Sequence, residues 1–304
     1  MHRTVFMALA ALVLGVGLAG AQARPLVIGS KIDTEGALLG KIIVRVLTAN
    51  GISVTDKTGF GTTDIVRKAI IAGEIDVYPE YTGNGGFIFS GTDPEIWKDA
   101  KKAWETVKKL DLEKNALVWL TPAPANNTWA IAVRSDLAKK EKLATLEDLG
   151  RYVAKGGAFK IAGSEEFLSR PDALPAFQKA YGFTMNKDQF VSVSGGNTSL
   201  TEKAASLGTD GVNAAMAYGT DGAIAALSLV VLTDTKGVQP VYQPAPLVGA
   251  KAAKEQPKLD QYLAPVFRSL DLVTLQTLNA RIQVNGESAD AVAADYLKKK
   301  GFVK

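Results

Sequence analysis

The 304-residue sequence contains no cysteine and a single histidine, His2. Without thiols there are no disulfides, no thiolate nucleophile, no lipid-modified N-terminal cysteine and no zinc site of the usual kind. His2 falls in a stretch with the form of a secretory leader. His2 and Arg3 begin it, Val5 to Leu18 form its apolar core, and Ala21-Gln22-Ala23 makes a small-x-small cleavage site. Removal of residues 1–23 takes the imidazole with it, which excludes a Ser-His-Asp triad, a His general base and a His metal site. No later apolar run is long enough to span a bilayer. The 35 basic residues barely exceed the 31 acidic ones and form no long basic run, a balance that argues against nucleic acid as a partner. No Walker-type loop occurs, and Gly83-x-Gly85-Gly86 misplaces the third glycine of a dinucleotide fingerprint. Glu165 and Glu166 are the nearest thing to a catalytic carboxylate pair, but adjacent side chains diverge on a helix or a strand.

What is present is an α/β rhythm in a chain long enough for two domains. Leu26–Gly29 reads as a strand and is followed by a helical pattern at Ala37, Leu38, Ile42, Ile43, Val46 and Leu47, capped by Asp33 or Thr34 and closed at Asn50-Gly51. A second strand, a second helix and a third strand at 74–77 follow with short connections, which predicts a parallel sheet with crossover helices. The third strand runs into Tyr78-Pro-Glu-Tyr81 and a glycine-rich turn. Open α/β sheets bind their ligands at such strand ends. A helix over 94–110 and a strand over 116–120 lead to Thr121–Thr128, where two prolines and an Asn pair predict a linker. From Trp129 the rhythm repeats, with strands ending near Ala162, Val193, Ala217 and Leu232 and a helix expected to open at Thr220-Asp221-Gly222. Val241–Val248, with two prolines, reads as a second linker or a strand end. Beyond Lys251 the pattern is helical throughout, so this last segment is expected to pack back on the first domain. The expected organisation is a leader over 1–23, a discontinuous first domain over 24–125 and 223–304, and a second domain over 126–222.

Tyr81, Trp129, Tyr218 and Tyr242 each fall at a strand end or a linker and not inside an apolar helical face, a placement that suggests an aromatic box. Around them stand Gly29-Ser-Lys-Ile-Asp-Thr-Glu35, Tyr78-x-Glu-Tyr-Thr-Gly83, Asn126-Asn-Thr-Trp-Ala130, the Arg170 region, Tyr218-x-Thr-Asp221 and Tyr242-x-x-Ala-Pro-Leu-Val248. Together these resemble the substrate-binding proteins of ATP-binding-cassette importers for glycine betaine, choline and related osmoprotectants, over essentially the whole chain after the leader. The resemblance implies an α/β, type II periplasmic-binding-protein fold with a hinged interdomain cleft. It implies that Tyr81, Trp129, Tyr218 and Tyr242 cage a quaternary ammonium head while Lys31, Asn84 and Arg170 hold a carboxylate. Trp129 stands where that family commonly has Tyr, and Asn84 where many members have Thr.

Physical chemistry supports the same assignment. A trimethylammonium group has no N–H to donate, so aromatic faces are among the few surfaces that attract it, at roughly 0.5–2 kcal/mol per ring. The expected protein is a non-enzymatic, cofactor-free, metal-free periplasmic monomer that captures glycine betaine and delivers it to the membrane permease of an ABC importer. Choline, carnitine or another betaine are alternative ligands, and an exported carboxylate-dependent enzyme is the rival from another class.

Overall fold

In a computed structural model, residues 24–304 are described. The expected leader, residues 1–23, lies outside the described residues. No described helix is long and apolar enough to cross a membrane.

Among the described residues, ten strands build two mixed sheets. They are β1 (Leu26–Lys31), β2 (Val54–Gly61), β3 (Val77–Tyr81), β4 (Leu117–Trp119), β5 (Trp129–Arg134), β6 (Ile161–Ser164), β7 (Phe190–Val193), β8 (Ala214–Tyr218), β9 (Leu229–Val231) and β10 (Pro244–Gly249). The first sheet has the order β2-β1-β3-β10-β4 and the second β7-β6-β8-β5-β9. In each, three parallel strands are joined by one antiparallel strand that the chain forms on arriving from the other sheet, β10 in the first and β5 in the second. The central strands are buried along nearly their whole length because helices cover both faces, which is why they read as continuous apolar runs.

The helix Thr34–Ala49 buries Leu38, Leu39, Ile42, Ile43, Val46 and Leu47, and the Asp33 carboxylate caps it by accepting the Gly36 N–H at 2.8 Å. Three C-terminal helices, Leu259–Arg268, Leu272–Gln283 and Ala289–Lys299, pack against it, as their apolar periodicity predicts. The tail therefore belongs to the first sheet's body.

Three expectations need correction. The proline-rich stretch, expected as a linker or a strand end, is not a linker from Pro244 onwards: Pro244–Gly249 is β10, a whole inner strand between β3 and β4. Proline removes a ladder donor and normally excludes this position. Here the Pro244 and Pro246 carbonyls accept from Ala123 and Leu120, on the side of the three-residue β4, where few donors are demanded. Ala245 and Leu247 carry the pairing to β3. The expected domain boundary at residue 223 also moves, because β9 pairs with β5 in the second sheet and the chain returns only across 232–243. Finally, Thr220-Asp221-Gly222 opens no helix. Asp221 accepts the Tyr218 N–H at 2.6 Å, the Thr198 hydroxyl at 2.9 Å and the Gln283 amide at 2.9 Å, which folds residues 219–228 into turns. Gly222 lets that turn lie on the helix Leu272–Gln283, since a Cβ there would stand 2.1 Å from the Gln276 carbonyl oxygen.

Beside Asp221 lies Glu202, fully buried and with no hydrogen-bond partner for either carboxyl oxygen among the described residues. Burial first, and then the Asp221 charge, push the Glu202 carboxyl up to about 10. A carboxyl that is higher in the folded state than in the unfolded chain stabilises the fold fully at acid pH and loses that contribution as pH rises towards the folded value. Thermal unfolding should therefore show wild type losing stability between about pH 5 and pH 9, and Glu202→Gln losing clearly less. Parallel pH profiles for the two proteins would show that Glu202 holds no proton of consequence.

Candidate functional site

The parallel strands of both sheets end towards one another, and the two crossings run between them. Trp129 opens β5 directly opposite Tyr218 at the end of β8, and Tyr81 ends β3 opposite Pro244, two residues beyond Tyr242. Strand register thus brings Tyr81, Trp129, Tyr218 and Tyr242 to one cavity, which Lys31, Asn84, Asp33, Thr63, Asn127 and Glu166 also line. Trp129 and Tyr242 lie with ring centroids 5.7 Å apart and tilted by 59°. Tyr242 can approach because residue 83 is glycine; a Cβ there would meet its ring at 2.8–2.9 Å. The indole N–H of Trp129 is buried without a protein acceptor among the described residues.

Lys31, at the end of β1, donates from Nζ to Glu80 Oε1 at 2.7 Å and lies 4.7 Å from the Tyr81 ring centroid. Glu80 is completely buried in β3 and also accepts from the Tyr78 hydroxyl (2.7 Å), the Tyr81 N–H (2.7 Å) and Asn84 Nδ2 (2.8 Å). Burial alone would raise this carboxyl, but the Lys31 charge and the hydrogen bonds more than offset it and hold Glu80 below its ordinary value.

Arg170 stands behind the aromatic wall. Its guanidinium is sandwiched between Phe87 and Trp129, 4.3 and 4.5 Å from their ring centroids. Nε and Nη2 fork onto Asp172 at 2.7 and 2.6 Å, Nη1 reaches Glu166 Oε1 at 2.8 Å and Asn84 Oδ1 at 3.1 Å, and Nη2 reaches the Tyr242 hydroxyl at 3.4 Å. A guanidinium has five N–H groups, and all five are engaged. Asn84 is partly committed, one of its two amide N–H groups donating to Glu80 and its oxygen accepting from Arg170. Of the three residues expected to hold a carboxylate, Lys31 has one donor committed out of three, Asn84 has one out of two, and Arg170 has none left.

Several residues of the site were not singled out from the sequence. Glu35, in the first turn after Asp33, accepts from the Tyr81 hydroxyl (3.1 Å), Asn127 (2.8 Å) and Asn279 (2.8 Å), joining the end of β3, the first crossing and a C-terminal helix. Burial pushes Glu35 up to about 7, against hydrogen bonds from Thr220, Asn279 and Asn127 that lower it. Asp33 does cap its helix as expected, yet it also lines the cavity; burial raises its carboxyl, the Lys31 charge opposes this and the nearby Glu166 adds to it. Glu165 is exposed and Glu166 faces the cavity, so the adjacent pair does diverge. A charged residue inside an otherwise apolar strand, as at Glu80, was the one available signal, because a buried charge requires partners.

Residues 24–299 match the family described as the substrate binding domain of ABC-type glycine betaine transport system. The chain is 58% identical to the glycine betaine-binding protein YehZ of Escherichia coli over 282 residues, covering 93% of this chain and 92% of that one. It is 33% identical to a glycine-betaine-binding protein of Pseudomonas aeruginosa over 287 residues, 92% of this chain and 89% of that one. The solved structure of apo YehZ from Escherichia coli aligns with a TM-score of 0.68 over 92% of this chain and all of that one. Members of the family are binding proteins of importers and not enzymes. The chain belongs to the family of substrate-binding domains of ABC-type glycine betaine transport systems.

Proposed function

We propose that the protein is a periplasmic monomer that closes its two domains on a quaternary ammonium osmoprotectant, glycine betaine foremost, and presents it to the membrane permease of an ABC importer. The observation that carries this is the convergence of Tyr81, Trp129, Tyr218 and Tyr242, from both sheets, on one cavity. Four π-faces in a partly dry site attract a methylated ammonium that cannot donate N–H bonds. Lys31 supplies the cationic end for a carboxylate, with two of its three donors uncommitted. Both of the relatives described above are named for glycine betaine, which supports the same ligand here. Choline and carnitine share the trimethylammonium head and remain the alternative ligands.

Direct contacts bridge the cleft in this structure. Arg170 reaches Asn84, the Thr63 hydroxyl reaches Glu166 at 3.3 Å, and the Thr34 and Ser199 hydroxyls stand 3.5 Å apart. The cavity that the four rings line holds only about 50 Å³ of open space. A ligand therefore enters an opened form, and the crossings at 120–128 and 232–243 serve as the hinge. The TM-score of 0.68 at 58% identity to the apo structure supports such a rigid-body difference. Small-angle scattering with and without saturating glycine betaine tests this, with calorimetry on the same sample. The expected result is one-to-one binding with a smaller radius of gyration in the bound state. Confirmed binding at an unchanged radius would overturn the hinged trap, and no binding of any of the three ligands would overturn the function.

A further inference from the structure

We infer that Glu166 is a built-in competitor of the ligand's carboxylate for Arg170, so that this acidic residue sets how strongly the cavity favours a zwitterion over a simple cation. The inference rests on the cavity being the quaternary ammonium site proposed above, and it concerns a residue outside the expected ligand set.

Glu166 and Arg170 stand four residues apart at the helix Glu165–Ser169, where i and i+4 side chains meet. Their pairing lies within one domain and does not depend on the cleft being closed. Arg170 is 5% exposed and is held from the other side by the two-pronged contact with Asp172. Its charge is therefore met twice over before any ligand arrives. The charged residues that line the cavity are Lys31, Asp33 and Glu166, and behind them Lys31 is paired with Glu80 and Arg170 with Glu166 and Asp172. A cation entering the aromatic cage meets a surplus of negative charge. A ligand carboxylate directed at Arg170 finds its Nη1 already taken, with the Glu166 charge beside it. Like charges forced together in a partly desolvated site are unfavourable, and discrimination of this kind arises from the repulsive element as much as from the attractive one.

Glu166→Gln removes the charge while leaving an amide oxygen to accept from Arg170 and an amide N–H able to donate to the Thr63 hydroxyl. Isothermal calorimetry of wild type and Glu166→Gln, each with glycine betaine and with choline, reads the effect. The expected result is betaine binding about fivefold tighter and choline binding about twofold weaker, a change in their ratio of about one decade or 1.4 kcal/mol. Glu166→Asp, which keeps the charge, should lie nearer to wild type in that ratio. Equal changes for the two ligands would overturn the inference, since a role confined to closing the cleft through Thr63 shifts both alike. Betaine weakening relative to choline would overturn it as well. Failure of wild type and variants to bind either ligand would overturn the proposed function, and this inference with it.

Discussion

Trp129→Ala is expected to weaken glycine betaine binding by about a hundredfold. The indole offers a π-face to the ammonium, worth about 2 kcal/mol where water is excluded. It also packs edge-on against Phe167 with centroids 5.9 Å apart, and against Tyr242, and such aromatic pairs add roughly 0.5–1.5 kcal/mol beyond their area. At about 1.4 kcal/mol per decade, these terms give the predicted loss. The same ring carries the Arg170 guanidinium on its surface, so truncation also releases Arg170 from one side of its sandwich. Trp129→Phe keeps a ring in place and should cost less than about tenfold. Calorimetric titration of both variants distinguishes ring from N–H. If Phe and Ala were equally damaging, the unpartnered indole N–H would be the working group, and the cage would rest on the three tyrosines.

How much of this was legible in the sequence depends on the kind of signal. The helix Thr34–Ala49 announced itself by period and caps, and β1 and β3 by apolar runs ending at Lys31 and Tyr81. The four aromatic positions were legible because each sits where a strand stops, and register then brings strand ends together. β10 was hidden by Pro244 and Pro246, whose missing N–H groups signal a linker until the shortness of β4 is known. β9 was legible as a strand ending near Leu232, but its three residues say nothing of which sheet they join, so its pairing with β5 was not. Thr220-Asp221-Gly222 has the look of a helix start, but Asp221 is claimed by partners from residues 198 and 283. The expected carboxylate holders illustrate the same limit. Lys31 and Glu80 lie 49 positions apart, and nothing in either local pattern says that the lysine's charge is already answered. Arg170 has Glu166 and Asp172 close in sequence, so its partners were visible, but their convergence on one guanidinium depends on the bend after Ser169.

Glu80→Ala should be the most damaging single change to the fold near the site, at about 3–5 kcal/mol, the range for removing one partner of a buried ion pair. Glu80 is fully buried, and its carboxylate receives Lys31, the Tyr78 hydroxyl, the Tyr81 N–H and Asn84. Truncation leaves a buried ammonium without its counter-charge and strands donors that have no water to turn to. The loss also reaches the cavity, because Asn84 and the backbone of Tyr81 are oriented by the same carboxylate. Chemical denaturation of the purified variant measures the cost. A ligand provides a second reading, since anything that binds the native state alone raises its stability. With Lys31 unpaired, a zwitterion brings a replacement carboxylate and choline does not. Saturating betaine should therefore recover more of the variant's lost stability than saturating choline does, by a wider margin than in wild type. A loss below about 1 kcal/mol would mean that Lys31 escapes to water when Glu80 is removed, and that the pair does not anchor the end of β3.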